Sequence, residues 1–355
     1  MKSALFSPFR LRDLNLDNRI AVSPMCQYSA VDGNATDWHL MHLGQYSVSG
    51  AALVVTEATA VESRGRISYG DLGLYSDDNE QSLARIIKFF KDYGSAKIGI
   101  QLAHSGRKGS DNLPWKGNGK PLGVNEGAWK TVAPSAVSFG EGVPAPWALD
   151  LNGLAEVKKA FVEAAVRASR LGFDLIELHS AHGYLLHQFL SPLSNRRTDE
   201  YGGTLTNRMR FPLEVFSAVR GVWPAKKPMG IRVSATDYYP GGWTITDSIV
   251  YASELKKLEC DYMDVSGGGL VPGQQIPLGP GYQVGYSEII KKEAGLATMA
   301  VGMITTAGQA EEIISSGKAD MVARGMLYDP RWAWHAAGEL KAEAKYPPQY
   351  LRCKP

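Results

Sequence analysis

Two imidazoles and a phenol lie within six residues of one another, at His179, His182 and Tyr184, inside the stretch Gly172–Gly203. Near neutral pH an imidazole can donate, accept or bind a metal, and a phenol can hand a proton to a strong base. Which of these applies depends on where the chain puts them. The segment Phe173–Leu178 is apolar apart from Asp174 and Glu177, the pattern of a buried strand that delivers His179 at its C-terminal end. In barrels and open α/β sheets that edge is where chemistry is done. Taken locally, the pattern admits a hydrogen-bonded structural histidine, half of a zinc site still needing a third ligand, or a catalytic group.

The elements that would position these residues run the length of the chain. Short apolar runs recur at Arg19–Ser23, Ala52–Thr56, Lys97–Leu102, Phe173–Leu178, Met229–Ser234, Tyr262–Val265, Thr298–Gly302 and Asp320–Ala323. Between them are stretches with apolar residues three and four apart, among them Gln81–Lys91, Leu154–Leu171, Asn207–Val222 and Thr246–Leu258. Tyr286–Ala294, Ala307–Ser316 and Pro330–Lys341 continue the series, and several of these start at Ser, Thr or Asp and stop at Gly. Eight strand–helix units predict a (β/α)8 TIM barrel of parallel strands, in a single domain over residues 1–355. A doubly wound open sheet has less support, because no Gly-x-Gly-x-x-Gly turn follows the first strand. The connection from Gly106 to about Asp150 is rich in Gly, Pro and Trp, and it predicts a long excursion over the catalytic face.

Composition narrows the class. With 355 residues, 44% of them hydrophobic, and a net charge of +2, the chain supports a large core and no nucleic-acid or anionic-membrane partner. Cys26, Cys260 and Cys353 are too few and too scattered for a disulfide framework or a metal cluster. No apolar run approaches a membrane span and the first residues lack a leader's apolar core, so a cytoplasmic protein is expected.

The strand ends converge on one mouth. The first supplies Ser23, Pro24, Met25 and Cys26 with Tyr28 beyond, the second Glu57, Ala58 and Thr59, the third Gln101 and His104. The fifth supplies Arg232, the sixth Ser266 and three glycines, the seventh Gly302 and Met303, the eighth Arg324. The set is poor in carboxylates, against a magnesium site or a glycosidase acid pair, and no Gly-x-Ser-x-Gly elbow occurs. Gly302 and Arg324 sit on the last two strands, where barrels tend to hold a phosphate. A phosphate site at one end and neutral donors at the other suggest a bound organic cofactor.

These residues carry a resemblance to the old yellow enzymes, FMN-containing ene-reductases, and to their thermophilic-like branch with the xenobiotic reductases. The matching segments are SPMCQYSA, TEATAV followed by GRIS, IQLAHSGRK, and ELHSAHGYLLHQFLSPLSNRRTDEYGG. NRMRF, GIRVSA, AVGMIT, ARGMLYDP and PPQYLR extend it over essentially the full length.

The resemblance implies non-covalent FMN, with Ser23, Pro24, Met25 and Ala58 along the isoalloxazine and Gln101 at its pyrimidine edge. It implies Arg232 beside N1 and the C2 carbonyl, and Gly302, Ala323 and Arg324 at the phosphate. Cys26 would modulate the flavin from its N5/O4 edge. His179 and His182 would bind the carbonyl of an activated alkene, Tyr184 would protonate its α-carbon, and Tyr28 would help close the pocket. NADPH is the implied electron donor, with small activated alkenes and phenolic inhibitors as ligands. Arg352 resembles an arginine that reaches a neighbouring subunit's site, implying a homodimer or a dimer of dimers.

Three readings compete with this one. An iron–sulfur dienoyl-CoA reductase needs a cysteine cluster after the barrel, where only Cys353 stands. A zinc hydrolase would use His179 and His182 but lacks nearby carboxylates, and a barrel retired to scaffolding would not be expected to keep the His179, His182, Tyr184 set. The segment before Arg324 is about two residues shorter than the family pattern, which opens the question of a register shift there. His104, His187 and Trp129 are further candidates for the pocket wall.

Overall fold

The computed structural model describes residues 2–354. Its centre is a closed barrel of eight parallel strands, β3 (Ile20–Val22), β4 (Leu53–Ala60), β5 (Lys97–Ala103), β8 (Leu175–Ser180), β9 (Met229–Ser234), β10 (Tyr262–Ser266), β11 (Thr298–Ala300) and β12 (Met321–Arg324). The strands follow one another around the barrel in chain order, each joined to the next by a helical crossover. The principal helices are α1 (Asp37–Ser47), α2 (Asp77–Tyr93), α3 (Leu151–Leu171), α5 (Leu205–Val222), α6 (Ile245–Lys257), α7 (Val284–Ala294), α8 (Ala307–Ser315) and α9 (Trp332–Glu339). A short extra helix, α4 (Leu185–Leu190), sits in the connection after β8.

Local chemistry sets the helix ends. Ser76, Asp150, Thr204, Thr244 and Thr306 each accept a backbone N–H of the first turn, and left-handed Gly172 and Gly295 stop α3 and α7. Two helices escape the apolar periodicity. In α1 the buried face includes His39 and His42, and α4 is buried all round.

The apolar core falls into two parts. A large cluster, including Phe161, Ile176 and Phe216, packs strands against helices. A smaller one fills the barrel interior with Leu53, Val55, Leu175, Tyr262, Met299 and Met321. An antiparallel hairpin, β1 (Phe9–Leu11) with β2 (Leu14–Leu16), brings Leu11, Leu14 and Leu16 to that interior cluster at the N-terminal end of the strands. The opposite, C-terminal end is left for chemistry.

The excursion 106–150 holds short helical turns and two paired two-residue strands, β6 (Val132–Ala133) and β7 (Trp147–Ala148). Its root is tied over the C-terminal mouth. The Arg107 guanidinium donates to Val137 O, Ser138 O and, at 2.8 Å, to Leu270 O of the connection after β10. In the last strand Ala323 pairs with Ala21 and Arg324 with Val22, in one continuous register along β12 and β3.

Candidate active site

His179 lies inside β8 opposite Arg232, while His182 and Tyr184 occupy the turn that follows. The turn is tight. His182 has a left-handed φ of 57°, and Gly183 approaches Gly269 so closely that a Cβ would meet Gly269 O at 2.2 Å. Glycine is required at that crossing. Beneath it, the Gly183 N–H donates to His187 Nδ1 at 2.9 Å, and His187 Nε2 faces Asp237 Oδ1 at 2.8 Å. Burial raises the Asp237 carboxyl, but His187, Ser191 and the Trp243 N–H outweigh it, so its pKa is lowered. His187 therefore anchors the turn from below.

The three side chains form one wall. The ring of His179 stands edge-on to His182 at 5.2 Å and to Tyr184 at 4.9 Å between centroids. His179 Nδ1 accepts the Ala181 N–H at 3.3 Å, which puts its proton on Nε2. Burial, then the charge of Arg232, holds both imidazoles well below their ordinary pKa, so they are neutral donors. His182 Nε2 lies 2.7 Å from Ser266 Oγ, which in turn is 3.2 Å from Gln283 Oε1.

Lys108 completes the wall, and sequence reasoning missed it although it ends the IQLAHSGRK segment. Its ammonium donates to His182 O at 2.8 Å and Gly269 O at 2.9 Å and stands 5.2 Å from the centre of the Tyr184 ring. Desolvation, and then Arg107, lowers its pKa to about 8.

Ser23, Pro24, Met25, Cys26 and Tyr28 run along the mouth from β3. Glu57 fixes this loop, accepting the Gln27 N–H at 2.9 Å and standing 3.3 Å from His39 Nε2 on α1. Burial raises the pKa values of Cys26 and Tyr28, and neighbouring carboxylates add to it, so both groups are protonated. Tyr28 meets Trp115 of the excursion edge-on at 6.1 Å.

Behind the mouth is a buried polar layer. Gln101 Nε2 donates to Glu177 Oε1 at 2.7 Å, Tyr262 Oη donates to Glu177 Oε2 at 2.9 Å, and Arg232 Nε lies 3.0 Å from Asp264 Oδ2. The two carboxyls face a single guanidinium. Burial raises both their pKa values, the charge of Asp264 raises Glu177 further, and Arg232 only partly offsets this. A carboxyl raised above its unfolded value contributes stability below the unfolded pKa, and that stability is lost as pH rises through the folded one. The apoprotein is therefore expected to lose stability above about pH 4. Glu177→Gln should flatten that loss, as urea unfolding midpoints across pH would show.

On the far side of Arg232 a cavity of about 410 Å³ is lined by Ser23, Ser266, Gln283, the Val301–Thr305 turn, Ala323 and Arg324. Its floor is pinched at Gly302, with φ 108°, where a Cβ would meet Gln283 Nε2 at 2.6 Å. Arg324 stands 4.7 Å from the centre of the Trp332 ring with a nitrogen on Thr305 O. Two cations, several hydroxyls and a turn pinched at Gly302 fit an anionic cofactor, and FMN has its phosphate to place there.

Ala58 and Gln101 pair across β4 and β5, which places them at the barrel mouth. Arg352 is exposed in the turn Pro348–Cys353, a tail held to α9 by the Trp334–Tyr346 stack. His104 is held by Glu62 at 2.8 Å and Trp129 by Arg64 O at 3.0 Å, so both serve the scaffold. Among the described residues no three His, Cys, Asp or Glu side chains are placed to share a metal. No helix is long and apolar enough to cross a membrane.

Residues 4–343 match the NADH:flavin oxidoreductase / NADH oxidase family. NADPH dehydrogenases of Geobacillus thermodenitrificans and Bacillus cytotoxicus are each 44% identical over 356 aligned residues, spanning 99% of this chain and 99% and 97% of theirs. Morphinone reductase superposes with a TM-score of 0.78 at 27% identity, over 98% of this chain and 93% of its own. Its complex with tetrahydroNAD gives 0.76, also at 27% identity, over 97% of this chain and 93% of its own. A 2-naphthoyl-CoA reductase shares the fold, with a TM-score of 0.85 at 23% identity over 95% of this chain. The chain spans about half, 52%, of that protein.

Proposed function

Because the chain belongs to the NADH:flavin oxidoreductase / NADH oxidase family and is an oxidoreductase with FMN as its cofactor, we propose that it is an NADPH-dependent ene-reductase of the old yellow enzyme type. Its substrates are activated alkenes: α,β-unsaturated carbonyls, maleimides and nitro compounds. The observation that carries this reading is the single wall of two neutral imidazoles and one phenol at the barrel mouth.

Bound FMN supplies the redox step, passing hydride from NADPH to the β-carbon of the alkene in two separate half-reactions. The residues of the chain do the rest. Ser23, Pro24, Met25 and Ala58 would line the flavin ring, and Gln101, its amide nitrogen committed to Glu177, would have its carbonyl oxygen to offer the pyrimidine edge. Arg232 would place positive charge beside the flavin, favouring its acceptance of electrons, and Gly302, Ala323 and Arg324 would hold the phosphate. Cys26, a thiol rather than a thiolate, tunes the flavin from its other edge.

His179 Nε2–H and a donor from His182 bind the substrate oxygen and stabilise the charge that grows there. The short Ser266 contact occupies His182 Nε2 and leaves Nδ1 as the ring nitrogen that can face the substrate. Tyr184 then protonates the α-carbon. Tyr28 closes the pocket, and Arg352 reaches the site of a neighbouring copy in a homodimer or a dimer of dimers.

The test is the visible spectrum of the purified protein under anaerobic conditions. A flavin band that bleaches with NADPH and returns on adding a cyclic enone is the expected result. A protein that stays colourless after incubation with FMN, or that bleaches and never recovers with any activated alkene, overturns the reading.

A further inference from the structure

Asp71 is an acid in search of a task. It lies in the connection after β4, is 2% exposed, and has no basic side chain within ion-pair distance among the described residues. Its oxygens accept only local donors, the Ile67 N–H at 2.6 Å and Ser68 Oγ at 2.8 Å. A carboxyl buried without a counter-ion is costly to ionise.

What it faces gives the task. Asp71 and Tyr184 line the same narrow hollow, walled otherwise by Gly65, Ile67, Ser105 and the small side chains of Ala58, Ala60 and Ala103. Its volume is about 10 Å³ on the scale where one water needs roughly 10–15 Å³, so it has room for a single water. Among the described residues, no protein group hydrogen-bonds the Tyr184 hydroxyl, and that oxygen keeps some solvent exposure.

The other neighbours of Tyr184 are poor proton sources. His179 and His182 are neutral, and Lys108 directs two of its three N–H donors to backbone carbonyls. Cys26 and Tyr28 from the β3 connection hold their protons too tightly. Asp111 of the excursion acts on Tyr184 only through its charge.

We propose that Asp71 is a proton-relay residue that reprotonates Tyr184 through one water in the hollow they share. The inference rests on the donor role of Tyr184 in the proposed ene-reductase cycle. When the Tyr184 O–H bond breaks to protonate the substrate α-carbon, the phenolate takes a proton from the bridging water, and the water takes one from the Asp71 carboxyl. Asp71 is left as a carboxylate and recovers its proton from solvent before the next turnover. No electron moves in the relay, and the proton added to product comes finally from solvent.

The electrostatics agree with the geometry. Burial raises the Asp71 carboxyl to about 7, against the hydrogen bonds from Ser68 and the Ile67 N–H and with help from the charge of Glu57 on β4. The other titratable groups facing it are Cys26, Tyr28, Tyr75 and Tyr184, all of them neutral acids at that pH. The relay is loaded below that pKa and unloaded above it.

The experiment compares the FMN-loaded wild type, Asp71→Asn and Ala103→Val, the last filling the hollow while keeping the acid. Tyr184 enters its first turnover protonated, so flavin reduction by NADPH and a single oxidative turnover should stay within about twofold of wild type. Multiple turnover with a fast enone should fall tenfold or more in both variants. The wild-type decline of turnover between pH 6 and 8 should vanish in Asp71→Asn. Wild-type turnover and pH profile in both variants, beside a Tyr184→Phe enzyme that is slow with alkene, would overturn the relay alone. A Tyr184→Phe enzyme at full alkene rate would overturn the donor role beneath it.

Discussion

Tyr184→Phe is expected to leave reduction of the bound flavin by NADPH at its wild-type rate and to slow reoxidation by an enone about 10²- to 10⁴-fold, the usual range for losing a positioned acid. The selectivity follows from place and charge. Tyr184 is beyond the strand end, on the substrate side of His179, and takes no part in the polar layer of Gln101, Glu177 and Arg232. Burial raises its phenol well above the ordinary value, and the neighbouring acids Cys26, Tyr28, Asp71 and Asp111 push in the same direction. The group is therefore protonated throughout the working range, and such a weak acid transfers its proton only to a strong base. An α-carbon receiving hydride next door becomes one. Replacement by Phe removes one oxygen and leaves the edge-on packing against His179, so folding should be unaffected. Separate stopped-flow measurement of the two half-reactions makes the test, and equal slowing of both would refute the assignment.

Much of this arrangement was legible in the sequence because it lies on strands. A buried parallel strand is short, apolar and bounded, so the barrel and most residues at its mouth could be placed from pattern alone. The His179, His182, Tyr184 cluster needed only the strand end for its location. What pattern could not show lies in groups that break the expectation for their type. Asp71 and Asp264 are buried acids, whereas composition assigns acids to the surface, and with Glu57 and Glu177, which lie on strands, they put four carboxyls behind the mouth. Lys108 belonged to a segment that had been recognised, but its ammonium is turned inward to the carbonyls of His182 and Gly269, contacts made across three different connections. Helix α1 was hidden because histidines stand on its buried face where periodicity looks for leucine or valine. The question of register in the last strand was likewise beyond sequence, since pairing with β3 is a long-range fact.

Replacing both His179 and His182 by Ala is expected to weaken binding of a phenolate ligand to the oxidised flavoenzyme by about 10²- to 10⁴-fold. A hydrogen bond to a charged acceptor contributes about 1.5–3 kcal/mol, so two of them give about 3–6 kcal/mol, and each 1.4 kcal/mol is tenfold. Both imidazoles must be neutral donors that converge on one oxygen, and burial together with Arg232 keeps them neutral. Their backbones are held independently of the rings. His179 is paired within the barrel, and the His182 N–H and carbonyl are held by Ser234 Oγ and Lys108. Single replacements should each remove about half of that contribution, roughly 1.5–3 kcal/mol, and His182→Asn, which keeps a donor, should restore most of what His182→Ala loses. The charge-transfer band of a phenolate stacked on oxidised flavin gives the readout. A band that titrates at wild-type concentration in the double variant would place the ligand oxygen elsewhere in the mouth. The ring of Tyr184 and the Arg232 side would then be the surfaces left to hold it.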